Sequence, residues 1–171
     1  IGNFVDETPL IAYRDIRKNT GPLSFVFVGS LTSRKCPDLL IKAFAKLSKS
    51  HNLILNIIGD GPLLPFLKNM VKRQSLCENV NFLGFLDYPW MVVASADAMI
   101  LPSHSEGIAR ASLEALFLGV PCVLRDVDGN PELIENGVNG FLFAKDIELS
   151  EAMHQAALLG RNCKEKQNIN L

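Results

Sequence analysis

Two glutamates, Glu106 and Glu114, are eight residues apart, and Glu114 lies within the apolar stretch 113–116. On one continuous helix this spacing gives about 12 Å of rise, so the two carboxylates would not share a proton. They could instead accept hydrogen bonds from hydroxyls at two distant points of one extended ligand. A charge in an apolar stretch normally has a partner, which favours this interpretation over two solvated glutamates.

The segment 102–107 leads into a predicted helix whose start offers a place for an anion. The first amide groups of a helix lack partners within it, and the helix dipole favours negative charge there. We therefore expect a phosphate to bind the amides of Gly107, Ile108 and Ala109. An ordinary serine N-cap is the alternative.

Basic side chains follow the first predicted strand. Arg34 and Lys35 close the loop after Gly29, and both could reach a phosphate, the guanidinium through two parallel hydrogen bonds. A Lys35 that is only a solvated first-turn residue is the alternative. Two other features are expected to be structural: His104 as an exposed loop histidine rather than a catalytic base, and Trp90 as a core residue rather than a base-stacking surface.

Short apolar runs alternate with stretches of helical spacing along the chain. Runs that are apolar throughout are typical of strands covered on both faces, and their alternation with helices predicts a parallel sheet with helices on each side. The sequence thus predicts a doubly wound, Rossmann-like α/β fold. The predicted strands are 23–29, 53–58, 80–83, 97–101, 122–124 and 140–143, and the predicted helices 35–50, 62–75, 88–95, 107–118, 132–135 and 148–159.

In such sheets, ligands bind where a strand ends and the chain turns into a helix. Glycines, hydroxyls and charges concentrate in five loops of this kind, at 29–35, 59–62, 84–89, 102–107 and 125–131. The Gly-Asp-Gly at 59–61 follows the second strand and precedes a proline, so it does not match a dinucleotide fingerprint. The functional residues are therefore expected at the carboxyl edge of the sheet.

Composition and charge exclude several classes of protein. Hydrophobic residues make up 48% of the 171 and charged residues 20%, unlike a disordered or collagen-like chain. The 17 Lys and Arg against 18 Asp and Glu argue against a nucleic-acid binder or a polybasic membrane anchor. No apolar run reaches the roughly 18–20 residues of a membrane span.

The four cysteines lack a C-x-x-C pair, which predicts reduced, buried thiols in a cytosolic protein rather than a zinc site.

The sequence EGIARASLEA at 106–115, followed by GVP at 119–121, resembles the signature of family 4 retaining glycosyltransferases. These enzymes have the GT-B fold, in which two doubly wound domains face each other across a cleft. The resemblance, together with a first residue that is not Met, implies a C-terminal nucleotide-sugar-binding domain at 23–171, an interdomain linker at 1–22, and an N-terminal acceptor domain absent from this chain. Further matches occur in the family's order at 3–6, 28–31 with Lys35, 58–62, 80–84, 96–97 with 101–103, and 129–134.

The resemblance implies roles for residues at matching positions. Glu106 would hold hydroxyls of the donor sugar, and Lys35 would stabilise the departing diphosphate; these two are the implied catalytic residues. Glu114 would hold the ribose hydroxyls, and the amides of 107–109 the pyrophosphate. The backbone that receives the nucleobase would be that of Gly84, Phe85 and Leu86. No metal or other cofactor is then expected, because Lys35 and the helix start supply the positive field.

The chain departs from the family pattern at Ser30, where an arginine is common. Half of the usual basic pair is therefore missing from the first phosphate loop. We expect Arg34 to compensate from the neighbouring position and count Ser30, Arg34 and Lys35 among the donor-binding residues. A weaker or degenerate phosphate site is the alternative.

By resemblance, the signature with Arg110 is typical of bacterial enzymes that build O-antigen, capsule or other glycans on lipid carriers. It implies transfer of a hexose or N-acetylhexosamine from a UDP-sugar to a lipid-linked glycan, in the cytoplasm or at the inner membrane face. We expect the 171 residues alone to bind nucleotide without transferring sugar. Two alternatives remain: a sugar-nucleotide epimerase of this fold, and a non-catalytic module such as a receiver-like domain, although Gly29-Ser30-Leu31 stands where a receiver needs acidic residues.

Overall fold

One parallel sheet of six strands forms the centre of this computed structural model, which describes residues 6–14, 21–107 and 109–169. The order across the sheet is β3-β2-β1-β4-β5-β6, and each neighbouring pair is parallel. The predicted doubly wound, Rossmann-like α/β fold is confirmed. The strands are β1 (Leu23–Val28), β2 (Leu53–Ile58), β3 (Val80–Gly84), β4 (Ala98–Leu101), β5 (Cys122–Arg125) and β6 (Gly140–Phe143).

The central strands are covered on both faces, as their unbroken apolar sequences predict. Every residue of β4 and β5 is buried, and Phe25, Val26 and Phe27 of β1 are fully buried. An aromatic contact supports one face, where the rings of Phe25 and Phe44 meet edge to face with centroids 6.2 Å apart. The strands therefore form the rigid layer from which the loops of the site extend.

Helices pack against the sheet in two groups. α1 contacts both α2 and α6, whereas α3 contacts α4 and a 3-10 turn at Thr8–Tyr13. The strand order reverses direction at β1, so right-handed crossovers place the two groups on opposite faces. The helices of the described residues are α1 (Pro37–Ser48), α2 (Leu64–Arg73), α3 (Trp90–Ser95), α4 (Arg110–Phe117), α5 (Asn130–Leu133) and α6 (Leu149–Ile169).

The segment before the first strand contributes to the core. Leu10 is fully buried, and the ring of Tyr13 lies with its centroid 6.0 Å from that of Trp90. Residues 1–5 and 15–20 lie outside the described residues, as does most of the linker motif expected at 3–6. The interdomain linker at 1–22 stays a prediction.

The loops after β1 and β2 are pressed together backbone to backbone. Gly59 has a φ of +137°, and a Cβ there would collide with the carbonyl oxygen of Gly29. The Leu31 amide donates to the Asp60 carbonyl at 2.8 Å, and the Leu63 amide to the Leu31 carbonyl at 3.1 Å. Gly59 thus serves close packing, which fixes the loop that carries Lys35.

Candidate functional site

The candidate site lies where the strand order reverses. β1 and β4 are neighbours in the sheet but far apart in sequence, so the loops that follow them meet at the carboxyl edge. A backbone hydrogen bond joins the two loops, because the His104 amide donates to the Arg34 carbonyl at 2.9 Å. In doubly wound folds this reversal opens the crevice in which ligands bind.

Lys35 and Glu106 form an ion pair at this point. Lys35 ends a 3-10 turn at Ser33–Lys35, and Glu106 lies in the loop after β4. The hydroxyl of Ser103 donates to the same oxygen, Glu106 Oε1, at 2.7 Å. Glu106 is only 6% exposed, so two donors compensate a buried carboxylate. The two residues implied to be catalytic are thus brought into direct contact.

The backbone of Glu106 is held by a residue that the sequence analysis missed. The Glu106 amide donates to Oδ2 of Asp128 at 2.7 Å. Asp128 belongs to the loop between β5 and α5, where its φ is +51°. The loop 125–131 is among those predicted to carry function, but Asp128 is not among the predicted site residues. The Asp-Gly pair at 128–129, which is typical of a turn, was the available sequence signal.

Glu114 is buried on α4 and has two partners. Trp90 Nε1 donates to Oε2 at 3.2 Å, and Arg110 Nε donates to Oε1 at 2.9 Å. The expectation that a charge in this apolar stretch has a partner is confirmed. Trp90 itself is 8% exposed, so its expected place in the core is also confirmed, with its indole N–H turned to a carboxylate.

The two glutamates do not lie on one continuous helix, and this part of the prediction is wrong. α4 begins at Arg110, with Ala109 in an extended conformation as its N-cap. Glu106 belongs to the preceding loop, four residues before the helix begins. The rise of a straight helix therefore does not set the separation of the two carboxylates.

The amides predicted to bind an anion lie just before and at this helix start. Gly107 is exposed in the loop, and Ala109 is buried at the N-cap. Ile108 lies outside the described residues. The helix starts about three residues later than predicted, so Gly107 lies in the loop before the helix.

The other predicted donor-binding residues surround the same edge. Ser30 and Arg34 are exposed, and the Arg34 carbonyl is engaged by His104. Gly84 has a φ of +70°, and its carbonyl accepts from the Gly59 amide at 2.7 Å. Phe85 is 75% exposed and Leu86 is half-buried. His104 is exposed, as expected for a loop histidine, and lines a pocket of about 350 Å³ beside Ser33 and Cys36.

The cysteines only partly follow the prediction of buried thiols. Cys36 and Cys122 are buried free thiols, and burial raises the pKa of each. Cys77 is exposed, contrary to the prediction, because the preceding Leu76 takes the core position in the turn after α2. The side chain of Cys163 lies outside the described part of the chain.

The described residues contain neither a cluster suited to a metal ion nor a helix suited to a membrane. No group of three or more His, Cys, Asp or Glu side chains within these ranges is placed to hold a metal ion. None of the helices among the described residues combines the length and apolar character needed to cross a membrane.

Comparison with known proteins connects this geometry to one family. A family model described as Glycosyl transferases group 1 matches residues 12–169. The O-antigen biosynthesis glycosyltransferase WbnH of Escherichia coli is 40% identical over 121 residues, which cover 68% of this chain and 32% of that protein. An Escherichia coli UDP-Gal:alpha-D-GlcNAc-diphosphoundecaprenol alpha-1,3-galactosyltransferase is 36% identical over 135 residues, 75% of this chain and 34% of that protein.

A solved structure shares the fold. Anabaena Alr3699/HepE, crystallised in complex with UDP, matches with a TM-score of 0.73 and 25% identity over 84% of this chain and 43% of that chain. The chain spans between 27% and 34% of the length of the curated relatives that it matches.

Proposed function

The chain belongs to the group 1 glycosyl transferases, and on that premise we propose that it forms the donor-binding part of a retaining, family 4 enzyme of GT-B type. The enzyme would transfer a hexose or N-acetylhexosamine from a UDP-sugar to a lipid-linked glycan such as O-antigen or capsule. The relatives support this choice, since one is an O-antigen enzyme and another a UDP-Gal-dependent transferase acting on a diphosphoundecaprenol. A cytoplasmic location, with the whole enzyme at the inner membrane face, fits such an acceptor.

The contact between Lys35 and Glu106 is the observation that carries the proposal. A donor diphosphate placed at the crevice competes with Glu106 for the Lys35 ammonium. Lys35 then neutralises charge that develops on the departing diphosphate, while Glu106, still bound by Ser103, accepts hydrogen bonds from sugar hydroxyls. Lys35 thus contacts the departing diphosphate and Glu106 the sugar, the two groups joined by the bond that breaks.

Glu114 is suited to the ribose hydroxyls because one of its two partners is buried and the other is exposed. Trp90 is buried and fixes Oε2, whereas the Arg110 side chain is 68% exposed. Arg110 can therefore leave Oε1 to a ribose hydroxyl at small cost, since exposed ion pairs contribute little. Phe85 and Leu86, with the Gly84 turn, would offer the neighbouring backbone to the nucleobase.

We propose that positive charge at the diphosphate comes from the chain rather than from a metal. Lys35 supplies a full charge, and the amides of 107–109 supply partial charges at the start of α4. The exposed guanidinium of Arg34 lies one residue from Lys35 and would take the place of the arginine that the family has at Ser30.

Transfer would require a second, acceptor-binding domain. The chain spans about a third of its curated relatives, and its predicted roles concern only the donor. We therefore propose that these residues bind UDP but show no sustained transfer alone. Turnover by the isolated chain would overturn this part of the proposal.

Calorimetric titration with UDP, GDP and ADP tests the donor site. We expect selective UDP binding that Glu114→Ala weakens at least tenfold. Glu151→Ala is the matched control, because Glu151 is an exposed helical glutamate on α6 that pairs only with Gln155 in the described contacts. Equal UDP affinity in wild type and Glu114→Ala would contradict the site, and absence of binding to all three nucleotides would contradict the donor-domain assignment.

The Ser30 departure has its own test. If Arg34 compensates, Arg34→Ala weakens UDP binding strongly while Ser30→Arg changes it little. If the phosphate site is weakened instead, Ser30→Arg tightens UDP binding and Arg34→Ala has little effect.

A further inference from the structure

The loop between β5 and α5 holds the loop that carries Glu106 at two places. At one end, Arg125 Nε donates to the Pro102 carbonyl at 3.3 Å. At the other end, Asp128 accepts from the Glu106 amide at 2.7 Å. Between them lies the hydrogen bond from Ser103 to Glu106 Oε1. The conformation of residues 102–106 is thus fixed from outside as well as from within.

Asp128 adopts a backbone conformation that most residues avoid. Its φ of +51° lies in the left-handed region, where glycine is favoured and Asp and Asn are tolerated. The surrounding turn enforces it: the Val127 amide donates to the Arg125 carbonyl at 2.9 Å, and the buried Asn130 side chain donates to the same carbonyl at 2.9 Å. Such strained residues persist where the surroundings determine them, and they cluster at functional sites.

We propose that Asp128 is a positioning residue for Glu106; its value for catalysis rests on the proposed function. A charged acceptor on a backbone amide gives a short, strong hydrogen bond. That bond sets the orientation of the Glu106 backbone and thereby aims its carboxylate at Lys35 and Ser103. It also sets the course of the chain into Gly107, whose amide would face the diphosphate.

The negative charge of Asp128 argues for a positioning role and against direct contact with the donor. A carboxylate repels a diphosphate, so Asp128 contributes through the geometry of its acceptor oxygen and not through attraction to the donor. Asn at this position keeps an acceptor oxygen, tolerates positive φ and removes the negative charge. Gly relieves the backbone strain and removes the acceptor. Asp128→Asn therefore keeps the hydrogen-bond acceptor and the backbone conformation, whereas Asp128→Gly removes the acceptor and relieves the strain.

The experiment compares wild type, Asp128→Asn and Asp128→Gly by amide NMR and by titration with UDP, UDP-galactose and UDP-N-acetylglucosamine. We expect the Glu106 amide proton to lie downfield in wild type, to stay largely there in Asp128→Asn, and to lose that position in Asp128→Gly. The preferred UDP-sugar should bind Asp128→Gly at least tenfold more weakly and Asp128→Asn within threefold of wild type. The melting temperature of Asp128→Gly should not fall below that of wild type.

Each result decides the proposal. The positioning role is overturned if the chemical shift of the Glu106 amide proton in Asp128→Gly equals that of wild type. It is also overturned if the shift in Asp128→Asn is not close to that of wild type. Weaker sugar-nucleotide binding by Asp128→Gly together with a lower melting temperature, unrestored by Asn, shows a merely structural residue and also overturns it. A last outcome separates the two proposals. If wild type binds no nucleotide, but the chemical shift of the Glu106 amide proton changes in Asp128→Gly and stays near the wild-type value in Asp128→Asn, the proposed function fails and the positioning of Glu106 stands.

Discussion

The ammonium of Lys35 and the carboxylate of Glu106 form an ion pair across 71 residues of sequence. The pair joins the loops that follow β1 and β4, which are adjacent only because the strand order reverses between them. Glu106 is nearly buried, so removing its cation would leave a buried charge uncompensated, and the pair holds the two charges where a donor would meet them.

Replacing Lys35 is expected to cost more stability than replacing Glu106. Lys35→Ala leaves a buried carboxylate without its cation, at about 2–3 kcal/mol, whereas Glu106→Gln still accepts from Ser103 and costs about 1 kcal/mol. Urea unfolding measures both. Lys42→Ala is the control, because its pair with Asp38 is largely exposed and contributes within about 0.5 kcal/mol. Equal losses for Lys35→Ala and Lys42→Ala would refute the buried-pair interpretation.

Trp90→Phe separates the indole hydrogen bond from the ring's packing. The Phe ring keeps most of the buried contact but loses the donor to Glu114 Oε2. We expect a loss of about 1–2 kcal/mol in unfolding free energy and several-fold weaker UDP binding, because Glu114 is no longer held on that side. Tyr88→Phe is the matched control, since Tyr88 is 72% exposed and Phe keeps the ring that lies 5.1 Å from that of Trp90. The same small effect in both variants would show that Trp90 acts through packing alone.

The architecture was predictable because the central strands contain runs of apolar residues. Burial on both faces requires such runs, so Phe25–Phe27, Ala98–Leu101 and Cys122–Leu124 carry the signal in sequence. Helix starts were less predictable. Cys36 interrupts the helix expected from Lys35 by adopting a φ of +52°, so α1 begins at Pro37, and α4 begins at Arg110 rather than at Gly107.

The site was predictable as a set of loops but not as a set of contacts. The carboxyl ends of parallel strands meet at one edge, which is enough to bring Lys35 and Glu106 together. Side-chain partners depend on rotamers and on distances between distant segments. The bonds of Asp128 to Glu106 and of Trp90 to Glu114 therefore had no sequence signal beyond the types of the residues.

The free thiols are expected to react in the order of their exposure. Among the thiols of the described residues, iodoacetamide at neutral pH should modify Cys77 first, because Cys77 is exposed. Burial raises the pKa of Cys36 above its ordinary value of 9.0, so little of the reactive thiolate forms at neutral pH and the rate should keep rising as the pH passes 9.0. Cys122 should react only after unfolding. Peptide mapping by mass spectrometry gives each rate, with urea-unfolded protein as the control; a Cys36 rate equal to that of Cys77 would contradict the burial.

Arg161, in the second half of α6, binds the segment that leads into β1. Its guanidinium donates to Asp97 Oδ2 at 2.8 Å and to the Gly21 carbonyl at 2.8 Å, and Asp97 also accepts from the Ser24 amide at 2.8 Å. Asp97 is 1% exposed, so Arg161→Ala removes this cation from beside a buried carboxylate. We expect a loss of about 3 kcal/mol or more in unfolding free energy, measured in urea.

The partner substitution sharpens this prediction. Because each single loss includes the loss of their shared ion pair, Arg161→Ala combined with Asp97→Ala should lose clearly less than the sum of the two single losses. A double-mutant cycle measures that difference. Additive losses would mean that the two side chains stabilise the fold independently, through Arg161's bond to the Gly21 carbonyl and Asp97's bond to the Ser24 amide, and that their ion pair contributes nothing of its own.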